Sequence, residues 1–416
     1  MNARAVGWDI HREFSKVSLM EMSAEGEIRA VERARLEHDD LGGMRRWLAK
    51  LPAEVPVAVE AAFGWPWVAD LLEGLGHPVH LGHPPAIREL AKHEAKSDRC
   101  DSDRLGKFQL RGILPESYLA PPEVRQRRER TRYRMALVVL RSGVKSRVQA
   151  ILHRLGILHS FSDLFGKAGR RFLEGLDLPP ASAAVLRGYL ELLDALTRLI
   201  VDVEAWMVEN LEVDEIVRLL MTLPGIGLIL AHVIRAEIGQ IERFPSRRHL
   251  ASYDGLAPMS KDTAGREGPR HCSPACNRIL RWALIEAAGA AQRIKGEFGL
   301  RLRRLYARLT WGGKGPKGCK KRAKVAVARE LSDLVYVVWT KRVPYTDNPP
   351  SRPGRREPTK ANSPADSRDA PPPRRARRSD RRTQQEPPTA KRTLRSDQPR
   401  HPMVRRRPQA VDQTGL

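Results

Sequence analysis

A mixed α/β layer followed by helices (class α/β plus α) is the fold that the sequence predicts, on three observations. Short apolar runs bounded by turns open the chain and then alternate with helical stripes. From about residue 121 the apolar spacing changes to three and four, the period of helices. Beyond Tyr345 come 13 prolines, many arginines and almost no large apolar residue. The expected division is an α/β domain over 1–118, a helical coiled-coil segment over 119–212, a mostly helical domain over 213–345 and a disordered tail over 346–416. A chain of 416 residues is long enough for two or three cores.

The first 22 residues fit a strand, a turn at His11–Glu13, and a second strand from Lys16 to Met20. Gly26-Glu27 turns towards a third, Ile28 to Val31. A helix with Leu41, Met44, Trp47 and Leu48 as its stripe follows. Next come a strand from Val55 to Val59, a helix containing Trp67, Leu71 and Leu72, and a short strand near Val79. Three antiparallel strands followed by alternating helices and strands are the order of a ribonuclease-H-type layer.

In the helical segment, Leu137, Leu140, Val144, Val148, Ile151 and Leu155 share one face. A second helix carries Leu186, Tyr189, Leu193, Leu196, Ile200, Val203 and Met207, about three heptads of a coiled-coil seam or the stripe of an ordinary core helix. An antiparallel hairpin or a dimerising stalk would bury both stripes.

The net charge of +25 points to a polyanion. Residues 345–416 hold 18 Lys and Arg against 8 Asp and Glu, so +15 remains in the body. Phosphate neutralisation by such a surface is strongly salt-dependent. Four cysteines make no disulfide framework. His271, Cys272 and Cys276 lack the second ligand pair of a zinc site. With neither a signal peptide nor an apolar stretch of spanning length, a soluble cytoplasmic protein without a membrane partner is expected.

Four carboxylates carry the chemistry. Asp9 and Glu60 end apolar runs that read as strands, and ligands bind at strand ends in α/β sheets. Asp98 and Asp101 are three residues apart in a helix-like segment and share a face. Such a set can converge on two Mg²⁺ ions, and two-metal chemistry on phosphodiesters suits a basic chain. Each acid alone also reads as a helix cap, an edge residue or part of a salt-bridged surface.

Further on, Leu223-Pro-Gly-Ile-Gly joins a short helix to Leu228–Ile238. Gly225 and Gly227 there either expose N–H groups to a DNA phosphate, as in a helix-hairpin-helix, or simply make the turn. A helix over residues 277–293 sets Arg278, Arg281 and Arg293 opposite its apolar side. The run holding Lys314, Lys317, Lys320 and Lys321 leads into a last helix, Val325 to Trp339; it is a nucleic-acid contact or a solvated face.

Taken in order, these segments resemble the DEDD insertion-sequence transposases, RuvC-like recombinases guided by a bridge RNA. The resemblance covers about residues 4–345. It rests on Gly7-Trp8-Asp9, Val59-Glu60-Ala61 and Lys96-Ser97-Asp98-Arg99-Cys100-Asp101, then on Leu223-Pro-Gly-Ile-Gly, Arg243-Phe-Pro-Ser, Leu250-Ala-Ser-Tyr-Asp-Gly-Leu-Ala-Pro and the helix from Asn277. It implies a RuvC-like domain whose Asp9, Glu60, Asp98 and Asp101 hold magnesium; the family spacing excludes Asp103. It also implies double-stranded DNA as substrate, a structured guide RNA, a homodimer or homotetramer, and a C-terminal domain supplying a serine that bonds covalently to cleaved DNA. Counting back without gaps from Arg281-Trp282-Ala283 puts Thr263 in the nucleophile's place, with Ser260 three residues earlier. Threonine keeps the hydroxyl, but its methyl crowds in-line attack.

Overall fold

The computed structural model describes residues 3–92, 101–259, 271–272 and 275–347, all within the unit Met1–Pro350. Asp98, Ser260, Thr263 and the tail beyond residue 347 lie outside the described residues.

Three strands open the chain: β1 (Ala3–Ile10), β2 (Phe14–Met22) and β3 (Ile28–Glu37). Then α1 (Leu41–Leu48), β4 (Val57–Glu60), α2 (Trp65–Gly74), β5 (Val79–Gly82), α3 (Pro84–Ala91) and α4 (Asp101–Leu110) alternate. The five strands form one mixed sheet in the order β3-β2-β1-β4-β5. The first three pair antiparallel, whereas β4 and β5 run parallel to β1. Alternation along the strands divides the faces. Val6, Trp8, Val57 and Val59 pack with Met44 and Trp47 on one side. Ala58 joins Ile87, Leu105 and Phe108 on the other.

β3 runs six residues past its predicted end. As an edge strand it carries Arg29, Glu32, Arg33, Arg35 and Glu37, and that charge hides the apolar alternation.

Two long helices follow: α5 (Pro122–Arg154) and, after α6 (Lys167–Glu174), α7 (Pro180–Asn210). Both start at a proline, which the first helical turn tolerates because its N–H would be unpaired anyway. They pack through Leu137, Val144, Val148 and Ile151 against Leu186, Leu190, Leu193, Leu196, Ile200 and Val203. Leu140, expected on that face, is 57% exposed. Leu152, outside the expected stripe, is buried instead at the far end of the helix.

The last core is helical: α8 (Glu215–Met221), α9 (Leu228–Ile238), α10 (Arg247–Tyr253), the short ladder β6 (Pro258–Met259) and β7 (His271–Cys272), then α11 (Arg278–Ala291), α12 (Leu300–Leu309) and α13 (Cys319–Lys341). Helix α13 begins six residues before its predicted start, because Gly318 adopts φ +88° at the cap and Cys319 and Ala323 are buried. Chain contacts also continue past the predicted boundary at 345: the Asp347 carboxylate accepts from Gly299 N at 2.6 Å and from the Tyr345 hydroxyl at 2.6 Å. Among the described residues no helix is long and apolar enough to cross a membrane.

Candidate functional site

Asp9 and Glu60 lie at the ends of neighbouring parallel strands. Trp8 pairs with Val59, so the next residue on each strand is an acid. Trp8 and Val59 belong to one core face, so alternation turns Asp9 and Glu60 to the other, the face covered by α4.

Helix α4 lies unusually close to the sheet. A Cβ on Gly7 would stand 1.7 Å from the Ser102 carbonyl oxygen and 2.6 Å from Gly106 N, and one on Gly106 would meet Met20 at 2.5 Å. Two glycines thus let the helix backbone rest on β1 and β2. A buried hydroxyl pair, Ser18 with Ser102 at 2.9 Å, fixes the register. Asp101, first residue of that helix, is thereby brought to the side of the sheet that carries Asp9 and Glu60.

Their electrostatics record the proximity. Burial raises the Asp9 pKa; His11 opposes it, its Nε2 3.1 Å from Asp9 Oδ2, Asp101 reinforces it, and the net shift is upward. Burial likewise raises Glu60, and the charges of Asp9 and Asp101 add to it. Three of the four predicted acids are therefore within electrostatic reach of one another. Asp103 faces elsewhere. Arg33 donates to both its oxygens, with contacts of 2.7 to 3.2 Å, and with Ser18 this overcomes burial to hold its pKa below the usual aspartate range.

The donor set is carboxylate oxygen, which fits a hard divalent cation. Among the described residues no three His, Cys, Asp or Glu side chains gather closely enough to hold a metal by themselves; Asp98, the fourth predicted ligand, is not among them.

The other predicted centre, around Thr263, is described only at its edges. Pro258 and Met259 pair with Cys272 and His271, so a two-rung ladder bridges the ends of residues 260–270. Beneath it Asp254 is wholly buried: its Oδ1 accepts from Leu256 N at 2.9 Å and its Oδ2 meets the Ser332 hydroxyl at 2.5 Å. Burial outweighs those bonds and pushes its pKa up to about 7. Asn277 caps α11 and donates to buried Glu237 at 2.8 Å; Arg132 of α5 donates to both Glu237 oxygens at 2.8 and 2.9 Å.

The predicted nucleic-acid residues divide into two groups. Arg281 donates inward, to the carbonyls of Asp254 at 3.2 Å and Gly255 at 3.1 Å. Gly225, at φ +83°, is packed on α11, where a Cβ would come 2.2 Å from Ala287 O. That close approach alone accounts for a glycine there. Gly227, Arg278, Lys314, Lys317, Lys320 and Lys321 are exposed, Gly227 as the N-cap of α9. Sequence reasoning did not find His11, Ser18, Arg33, Ser102 or Gly106. The one signal available was a glycine on each of two packed elements, Gly7 and Gly106.

Comparison with known proteins adds an independent line. Residues 6–157 match a family model of DEDD, IS110 type described as transposase, and residues 217–303 match the model described as transposase IS116/IS110/IS902 family. The transposase for insertion sequence element IS1328 of Yersinia enterocolitica is 26% identical over 301 residues, covering 71% of this chain and 87% of that protein. The transposase for insertion sequence element IS1111A of Coxiella burnetii is 26% identical over 284 residues, covering 65% and 74%.

Proposed function

The chain belongs to the IS116/IS110/IS902 family of transposases and is a DNA transposase of DEDD type, and from that premise we propose that it excises and inserts its mobile element by Mg²⁺-dependent strand cleavage and exchange, guided by a structured noncoding RNA. The observation that carries this reading is that Asp9 and Glu60, at the ends of two parallel strands, and Asp101, at the start of the helix packed on them, lie within electrostatic reach of one another. The strand order supports a RuvC-like, ribonuclease-H-type assignment for residues 1–118. Residues 119–212 would be a coiled-coil arm and 213–345 the transposase domain, working as a homodimer or homotetramer.

Asp9, Glu60, Asp98 and Asp101 would hold two Mg²⁺ ions, which supply charge neutralisation at the scissile phosphate and a lowered pKa for the attacking oxygen. His11 orients Asp9, while the Gly7–Gly106 contact holds the first turn of α4, with Asp101, against the strand ends. In the cleavage step the Thr263 hydroxyl gives up its proton and its oxygen bonds to phosphorus; the bond from phosphorus to the 3′ oxygen breaks, and that oxygen leaves as a hydroxyl. A 3′ hydroxyl of the exchanged strand then attacks the same phosphorus and releases Thr263. The phosphoester bond is conserved, so joining needs no external energy source.

The methyl of Thr263, where the resemblance expects serine, favours one second reading: a nucleic-acid-binding remnant that has lost cleavage. A covalent-adduct assay separates the two. Full-length protein, supercoiled plasmid carrying the element's ends, its flanking transcript and Mg²⁺ are incubated, denatured and probed for DNA on protein. The proposal predicts an adduct from wild type and none from Thr263→Ala. An adduct from Thr263→Ser alone identifies the remnant, and an undiminished adduct from Thr263→Ala removes Thr263 from the mechanism.

A further inference from the structure

Between α12 and α13 the chain makes a short 3-10 turn, Trp311–Gly313, with an indole out in water: Trp311 is 70% exposed. Its φ is +51°, followed by +64° at Gly312 and +93° at Gly313. A left-handed backbone suits the glycines but is costly for tryptophan, and such strain persists only where surrounding structure imposes it. Here it does. The buried Thr310 carbonyl accepts from both Gly313 N and Gly315 N at 2.9 Å, and the Thr310 hydroxyl donates to Tyr306 O at 3.0 Å. Gly315 is pressed against α13, where a Cβ would stand 2.9 Å from Cys319 Sγ. The turn is therefore anchored at its base and folded back on the start of α13, the helix whose first turn carries Lys320 and Lys321. Neither the core nor the turn itself needs an indole at this place.

The segment that carries the ring is strongly basic, although Arg301, Lys324 and Arg329 pair with Glu330, Glu286 and Asp333. Residues 298–329 contain eleven Lys and Arg and no Asp or Glu. Arg308, Lys314, Lys317, Lys320 and Lys321 are exposed, and none has an ion-pair partner among the described residues. An exposed aromatic ring on an anchored turn, flanked in the chain by five cations without ion-pair partners among the described residues, has the chemistry of a base-stacking platform: the ring takes the π-face of a base while the cations follow the phosphates.

We infer that Trp311 stacks on an unpaired nucleobase while Arg308 and the lysines of the 314–321 run hold the phosphates flanking it. This rests on the reading of that basic run as a nucleic-acid contact, and adds to it a preference for unpaired over paired strands. A duplex has its bases already stacked and offers the ring nothing. A single strand, or a base extruded at a junction, offers a free face in DNA and RNA alike.

The test measures binding of full-length wild type, Trp311→Ala, Trp311→Phe and the double variant Lys320→Ala/Lys321→Ala. The probes are a thymidine oligodeoxynucleotide, the matching uridine oligoribonucleotide and a blunt DNA duplex of equal length, each over a salt series. Trp311→Ala is expected to weaken single-strand binding about tenfold with duplex binding and salt slope unchanged, and Trp311→Phe to recover most of the loss. A loss confined to the DNA or the RNA probe assigns the source of the base; loss on both assigns stacking common to the two. The double lysine variant is expected to lower the salt slope on every probe. Wild-type single-strand affinity in Trp311→Ala, or an equal loss on duplex, overturns the stacking inference. If the double lysine variant also leaves affinity and slope unmoved, the reading of the basic run falls as well.

Discussion

Asp101 and Asp103 stand two positions apart on the first turn of one helix and have opposite surroundings. The Asp101 carboxylate is 62% exposed and accepts from Arg104 at 2.7 Å; that of Asp103 is 10% exposed and clamped by Arg33. One is therefore free to turn to an incoming cation, and the other is a structural ion pair. Substituting Asp103→Asn is expected to cost about 1–3 kcal/mol, between the values for exposed and buried pairs, while leaving divalent-cation affinity intact. Since the folded pKa of Asp103 is depressed, its contribution is present above the usual aspartate range and lost as pH falls through the folded value. Asp101→Asn is expected to do the reverse, with stability within about 0.5 kcal/mol of wild type and weakened Mg²⁺ binding. Denaturant unfolding and calorimetric Mg²⁺ titration of both variants check the pair. Exchanged outcomes would put the metal on the other face of α4.

The element that positions the acids is α4, and it depends on having no side chain at Gly7. Gly7→Ala would drive a methyl into the Ser102 carbonyl, so the helix must lift from β1 or the strand must shift. The expected cost is about 3 kcal/mol in unfolding free energy, with Mg²⁺ binding weakened as Asp101 moves from Asp9. A variant with wild-type stability and Mg²⁺ affinity would show that the close approach is dispensable. Much of the architecture was legible at this scale. Strands β1, β2 and β4, helices α1, α2 and α9, and the acids at the ends of β1 and β4 follow from apolar period and turn residues. The full length of β3 was not legible, because charge on an edge strand erases alternation. The early start of α13 was masked by a basic run that reads as a loop. The α4–β1 contact was hidden too, since a glycine that permits close approach looks the same in sequence as one that makes a turn. Arg281 and Gly225 carry the same ambiguity: a basic or glycine position signals DNA only when folding leaves it facing solvent.

Across the whole molecule, function is spread over separate cores. Asp9 and Glu60 belong to the sheet and Asp101 to the helix packed on it, the short β6–β7 ladder belongs to the helical core, and between them in sequence lie α5 and α7. Helix α5 reaches both ways: its C-terminal half packs with α7, and Arg132 in its N-terminal half pairs with Glu237 of the helical core. The charge of +25 is suited to a polyanion partner, and in the proposed mechanism the chemistry falls to the carboxylates. Cleavage by an acid mutant therefore tests the account most directly. Wild type and Asp9→Ala are incubated with supercoiled plasmid carrying the element's ends, its flanking transcript and Mg²⁺, with circular dichroism confirming the fold and a salt-dependent shift assay confirming DNA binding. Asp9→Ala is expected to stay folded, still bind DNA, and lose strand cleavage by at least about a hundredfold, the scale of removing a principal catalytic group. Cleavage at the wild-type rate by folded Asp9→Ala would contradict it.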